Sequence, residues 1–196
     1  YWNNFGIPKS KQIILHDGVS KDFVLNFKDK LSSRKKLKIR SDQRIVMYVG
    51  SLYKDREIEN IIYAAKKTPK LNYYIVGGPS DNLEYYKGIA NKMSVNNIEF
   101  TGHISHSEIP TYLSSADVLL ALWSKKVPTI NFCSPLKVFE YMSHKKAIIA
   151  SDLPVLREVL SNKNSLIVKC DNVDEWMAAI EKLKNPKNRE NIGEQA

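Results

Sequence analysis

Short, near-continuous apolar runs alternate along this chain with segments whose apolar positions recur at helical spacing. RIVMYVG at residues 44–50 ends in glycine and reads as a strand buried on both faces of a parallel sheet. Ile58, Ile61, Ile62 and Ala65 then follow helical spacing until Thr68 and Pro69 stop the helix. The same alternation gives strands at residues 72–78 (NYYIVGG), 97–102 (NIEFTG), 117–123 (DVLLALW), 147–151 (AIIAS) and 165–168 (SLIV). Helices are predicted over 83–93 and 107–116, from Ser134 onward, over 155–160, and finally over 173–183 (VDEWMAAIEKL). QIILH at 12–16 reads as a first short strand, residues 21–42 are polar and weakly patterned, and 32–43 reads as a basic connector. Repeated strand–helix units require right-handed crossovers. The expected fold is therefore α/β: a single Rossmann-like three-layer domain over 1–196, with a parallel sheet of about six strands and its core in 44–186. Ligands of such sheets bind beyond the carboxyl ends of the strands, where the glycines and polar loops of this chain collect.

Composition narrows the functional class. With 196 residues and 43% hydrophobic content the chain can bury a substantial core. Two cysteines, Cys133 and Cys170, supply neither a disulfide framework nor metal-ligand spacing, so a reducing compartment is the default. No apolar run approaches the length of a membrane span, and no signal peptide is visible. The net charge of +9 is densest in SSRKKLKIR at 32–40. A solvated connector is the first reading of that run, and contact with an acidic membrane surface the second. Nucleic acid ranks last, because no zinc finger, aromatic RNP motif or helix-turn-helix accompanies the charge.

The segment SPLKVFEYMSHKKAIIASDLP at 134–154 carries the candidate chemistry. Ser134 is a good N-cap and Pro135 suits the first helical position, so a helix starting here would point unpaired N–H groups at an anion. Lys137 in the first turn is mildly unfavourable to the helix dipole, which a bound anion or an unrelated acidic neighbour would explain. Glu140 lies about 9 Å along the axis from Ser134 and leans back toward the N-terminus. There it can accept hydrogen bonds from ribose hydroxyls, although an ordinary amphipathic helix with a surface Glu and Lys fits the spacing too.

Along almost its whole length the chain resembles the C-terminal, donor-binding half of a retaining GT-B glycosyltransferase of the large family four. Residues 134–156 are the most specific part of that likeness. The resemblance implies that Ser134, Pro135, Leu136 and Lys137 hold the diphosphate of a nucleotide sugar and that Glu140 binds its ribose. Many members carry a Glu-x7-Glu pair whose first position falls here on Phe132, which offers no carboxylate to sugar hydroxyls. After Gly50, GSLYKDRE stands where the family has a Gly-Arg...Lys-Gly pattern. Ser51 takes the Arg place and Arg56 the Lys place, so Gly50, Ser51 and Arg56 are expected at the diphosphate, with Lys54 as the alternative to Arg56. TGHI at 101–104 resembles the base-binding corner, implicating His103 and Ile104 mainly through main chain, with Gly77 as either pocket wall or tight turn. HDGV at 16–19 resembles the hinge where the donor half begins, which assigns 1–20 to hinge and first strand and brings Gly18 toward the sugar. His16, His106 and His144 read as scattered surface histidines.

The activity so implied is transfer of a sugar from a nucleoside diphosphate to a saccharide or lipid-linked acceptor, with retention at the anomeric carbon, in surface polysaccharide or glycoconjugate synthesis. Arg56 and Lys137 would stabilise the leaving diphosphate. No Asp-x-Asp motif is present, and the resemblance implies neither a required metal nor any other cofactor. The expected partners are a nucleotide sugar and an N-terminal acceptor domain of the same protein, absent from these residues, with peripheral membrane contact left open. The expected location is cytoplasmic, including the inner face of the cytoplasmic membrane. Without the acceptor half, nucleotide binding but little transfer is expected. A non-catalytic nucleotide-binding module and a nucleotide-sugar epimerase of similar fold remain alternatives.

Overall fold

The computed structural model describes residues 5–13, 15–131 and 133–196. Six strands form one sheet: β1 Ile45–Val49, β2 Asn72–Val76, β3 Ile98–Gly102, β4 Val118–Ala121, β5 Ala147–Ser151 and β6 Leu166–Val168. Their order is β3-β2-β1-β4-β5-β6 and every pairing is parallel. The chain moves outward from β1 to β3, then returns to lay β4 beside β1. That return opens a crevice at the carboxyl ends of the two central strands, the general ligand position of such sheets.

Helices cover both faces because successive strand residues point to opposite sides. Val46 and Tyr48 pack with α3 (Ile58–Lys67), α4 (Ser80–Lys92) and α8 (Val173–Lys182) through Ile58, Ile62, Tyr86 and Trp176. Ile45, Met47 and Val49 face the other layer. There they meet Phe23 of α1 (Lys21–Leu25), Leu113 of α5 (Ile109–Ser115), Tyr141 of α6 (Leu136–Ser143) and Leu156 of α7 (Pro154–Arg157).

Four expectations are corrected. Gln12, Ile13, Leu15 and His16 form no strand, and Ile13 and Leu15 are exposed. A short apolar run makes a ladder only where a neighbouring strand completes it. Helix α2 (Lys30–Lys36) runs into the basic connector, and one of the connector's charges is structural: Arg34 is only 2% exposed. Its guanidinium donates to the carbonyls of Ser115, Ser41 and Gln43 and to Asp117 Oδ2, at 2.8–3.0 Å.

The packed layer also continues beyond residue 186 as α9 (Pro186–Glu194), with Pro186 in its first turn and Asn185 accepting from the Lys187 N–H. It lies so close to the end of α6 that a Cβ on Gly193 would overlap the Lys145 carbonyl. Finally, α6 begins at Leu136 with Pro135 as N-cap, one position later than the Ser134 cap implies. The Ser134 hydroxyl is engaged elsewhere, accepting from the Asp17 N–H at 2.9 Å.

Candidate functional site

The crevice is walled by glycine. At the end of β1 Gly50 adopts φ +147°, and at the end of β2 Gly77 adopts φ +136°. The two backbones touch: a Cβ on Gly77 would overlap the Gly50 carbonyl oxygen. Gly50 N–H donates to the Val76 carbonyl and Leu52 N–H to the Gly78 carbonyl, at 2.9 and 2.8 Å. These bonds hold the β1 and β2 exits together. Beside them lies a cleft of about 470 Å³, lined by Gly50, Ser51, Gly77, Gly78, His103, Ile104 and Ile109 among others. The structure therefore brings the expected base-pocket residues His103 and Ile104 to the same hollow as the glycines.

Lys137 reaches Gly50 from α6. A Cβ on Gly50 would lie 2.6 Å from Lys137 Nζ, so the absence of a side chain at Gly50 is what admits the ammonium. Lys137 Nζ donates to Tyr48 Oη at 3.1 Å and lies 4.2 Å from the centre of that ring. Tyr48 Oη in turn donates to the Ser51 carbonyl at 2.7 Å. Lys137 is half-buried, and burial of its ammonium, reinforced by the Arg56 guanidinium and opposed by Glu140 and Asp55, pushes its pKa down to about 7. A bound anion would relieve the penalty on the Lys137 charge.

Arg56 ends the 3-10 turn Lys54–Arg56, and Glu57 in left-handed conformation (φ 55°) turns the chain into α3. Its guanidinium carbon lies 5.0 Å from the Trp123 ring centroid and its Nε is 3.6 Å from Asp55. Nη1 is buried without a hydrogen-bond partner among the described residues, an unused donor in a region where such groups are normally satisfied. Lys54, the alternative cation, instead lies over the exposed Tyr85 ring.

Helix α6 is aimed by Tyr141, whose hydroxyl accepts from the Val49 N–H at 2.9 Å and donates to the Val49 carbonyl at 3.1 Å. This clamp fixes the α6 N-terminus, with Leu136 and Lys137, over the end of β1. Glu140 is no surface residue: it is 7% exposed, and its Oε1 lies 3.3 Å from His106 Nε2. Burial lifts its pKa above the usual carboxylate range, while His106 and Lys137 pull the other way. His144 is also buried rather than at the surface, with Nδ1 2.9 Å from the Glu140 carbonyl, and burial lowers its pKa.

Ser51 is exposed and presents its carbonyl to Tyr48. Gly18 is exposed and nothing lies near its Cβ position. Phe132 lies outside the described residues. A second hollow of about 750 Å³, among Tyr63, Lys125, Asp152, Cys170 and Asp171, sits at the β6 end and contains none of the expected site residues.

The partners that organise the site, Tyr48, Tyr141, Trp123 and His106, were not legible as such. Tyr48 and Trp123 sat within apolar strand runs, and only the period of 2 hinted at which face each would take.

The family model for group 1 glycosyl transferases matches residues 29–196. This chain belongs to that family. The glycosyltransferase chain is 25% identical over 198 residues to the alpha-galactosylglucosyldiacylglycerol synthase of Streptococcus pneumoniae, covering 97% of itself and 50% of that protein. It is 21% identical over 177 residues to an uncharacterized glycosyltransferase of Methanocaldococcus jannaschii, covering 87% of itself and 44% of that protein. It thus spans about half the length of these curated relatives. In fold it is similar to Anabaena HepE, solved in complex with UDP and glucose, with a TM-score of 0.79 at 15% identity, covering 98% of this chain and 52% of that one. The group 1 glycosyltransferase chain therefore has the Rossmann-like architecture of one half of a GT-B enzyme. Among the described residues no helix is long and apolar enough to cross a membrane.

Proposed function

We propose that this chain binds the nucleoside-diphosphate sugar used by a retaining glycosyltransferase, the diphosphate lying between the α6 N-terminus, Lys137 and Arg56. The observation that carries this reading is that Lys137, with the Arg56 charge acting on it, packs against Gly50, a residue that also lines the glycine-walled cleft at the ends of β1 and β2. An anion there would receive the free N–H groups of α6, the Lys137 ammonium and the orphaned Arg56 Nη1. The base would lie toward His103 and Ile104, and the ribose toward Glu140. As the anomeric C–O bond breaks, negative charge grows on the departing diphosphate, and these fixed donors stabilise it without rearranging. We assign that task to the cations and require no metal. In the whole protein an acceptor-binding half would face this cleft and present the hydroxyl that takes the sugar on the same face, building surface polysaccharide or glycoconjugate in the cytoplasm.

Calorimetry against UDP, GDP, ADP and their common sugar conjugates tests the reading. One diphosphate should bind selectively. Lys137→Ala should weaken it about 10–100-fold and Glu140→Ala somewhat less, the range expected for losing hydrogen bonds to charged groups. Because free Lys137 has a pKa of about 7 and a bound diphosphate favours its ammonium, binding takes up a proton above that pH. Affinity should then fall as pH rises from about 7 to 9, by at most about tenfold per unit. Binding that is indifferent to Lys137→Ala and flat across that pH range would remove the reading.

Membrane contact is part of the proposal. Leu25 (80% exposed), Leu31, Phe27 and Val24 lie on and between α1 and α2. Lys21, Lys28, Lys35, Lys36 and Lys38 surround them in sequence. Apolar side chains ringed by lysine suit an anionic bilayer surface. The chain should sediment with phosphatidylglycerol-rich vesicles at low salt but not with phosphatidylcholine vesicles, and Leu25→Glu with Leu31→Glu should release it. Equal sedimentation with both lipids would oppose this.

A further inference from the structure

The Glu140 carboxylate has one imidazole neighbour, and that neighbour is itself held in place. His106 opens the 3-10 turn His106–Glu108, which follows the candidate base corner at His103 and Ile104. The turn is fixed by Glu108, whose Oε2 accepts from the Ser105 N–H at 3.3 Å and from the Ser105 hydroxyl at 2.8 Å. On its other side the His106 ring packs against Phe23 of α1, with centroids 5.3 Å apart. Phe23 is buried and braced in turn by the His144 ring at 5.6 Å. His106 nevertheless keeps 66% of its side chain open to solvent, while the Glu140 side chain keeps 10%. An exposed imidazole on a fixed turn, packed against Phe23 and facing a nearly buried carboxylate, has a geometry a mobile surface histidine lacks.

We propose that His106 is a positioning residue for ribose recognition: its Nε2 holds Glu140 Oε1, leaving the other carboxylate oxygen to accept the ribose hydroxyls of the nucleotide. The inference rests on the donor-site reading above. In a nearly buried carboxylate, rotation between orientations and protonation both erase the acceptor, and a fixed N–H donor opposes both. The groups acting on Glu140 are His106 from the 3-10 turn and Lys137 from its own helix, and both favour the ionised form against burial. Removing His106 leaves only Lys137 to do so. The acid limit of nucleotide binding should then move to higher pH.

The test is calorimetry of the chain with UDP, GDP and ADP, each as the ribonucleotide and as its 2′,3′-dideoxy counterpart. Wild type should prefer the ribo form. His106→Ala should weaken ribonucleotide binding about 5–20-fold, the scale of a hydrogen bond to a charged group. It should leave the dideoxy form nearly unchanged and move the acid limit of binding upward. His106→Gln, which retains an N–H donor, should recover part of the loss. If His106→Ala weakens both forms equally, or tightens the ribo form by removing a competitor, the positioning role is overturned while the donor site stands. If no ribonucleotide binds, or Glu140→Gln has no effect, the donor-site reading falls and this inference with it.

Discussion

Gly77→Ala should lower the thermal midpoint by about 4–24 °C and abolish nucleotide binding, the largest effect expected of any single methyl group in this protein. The added Cβ would overlap the Gly50 carbonyl oxygen, a backbone atom that no rotamer change can move. It would also impose φ +136° on a residue with a side chain. Such backbone strain costs about 1–3 kcal/mol, and overpacking a close contact about as much again. For a chain of this size each kcal/mol is worth about 2–4 °C. Binding fails for a separate reason: Gly50 is the residue that admits Lys137, and displacing its carbonyl closes that approach. Gly88→Ala is the matched control. It lies inside α4 with nothing near the Cβ position, and should stabilise by about 0.5–1 kcal/mol. Calorimetric melts of the two variants check both statements, and a Gly77→Ala chain that melts with wild type would contradict the contact described.

Asp117→Ala should cost about 3–5 kcal/mol, the range for breaking a buried ion pair on one side. Asp117, just before β4, accepts from Arg34 Nη2 at 2.8 Å and from the Ile45 N–H at 2.7 Å, and pairs with Lys30. Removing it leaves the Arg34 charge buried without its carboxylate and frees a strand N–H. Replacing both partners with apolar residues, Arg34→Met with Asp117→Leu, should recover much of the loss. The pH dependence has a definite sign. Burial alone would raise the Asp117 pKa, but Lys30, the Ile45 N–H and Arg34 outweigh it and hold it below the ordinary 3.8. A depressed carboxylate stabilises the fold above its unfolded value and loses that contribution as pH falls through its folded one. The wild-type melting curve should therefore drop below about pH 4, and Asp117→Ala should lack that part of the acid limb.

How much of this was legible follows from how far apart in sequence the interacting residues lie. The central strands and their helices could be read because burial on both faces demands unbroken apolar runs, and RIVMYVG, NYYIVGG and AIIAS show them. Lys137 and Glu140 could be read together because one short helix sets their spacing. The misreadings have local causes. Pro135 took the cap assigned to Ser134, whose hydroxyl was drawn away to Asp17. A basic run conceals Arg34 because charge alone does not tell which member of the run faces a carboxylate. His106 and His144 were set aside because a lone histidine carries no pattern.

By itself, the sequence determined the alternation of strand and helix, the parallel sheet, the glycines at the strand exits and the helix that carries Lys137 and Glu140. Covalent spacing and local burial suffice for these. Only the tertiary structure decided which side chains meet: Tyr48 with Lys137 across 89 positions, Tyr141 with Val49 across 92, Arg34 with Asp117 across 83 and His106 with Glu140 across 34. Each of these pairings depends on β4 returning to the side of β1, a choice made by the packing of two whole helical layers and written in no single segment of the chain.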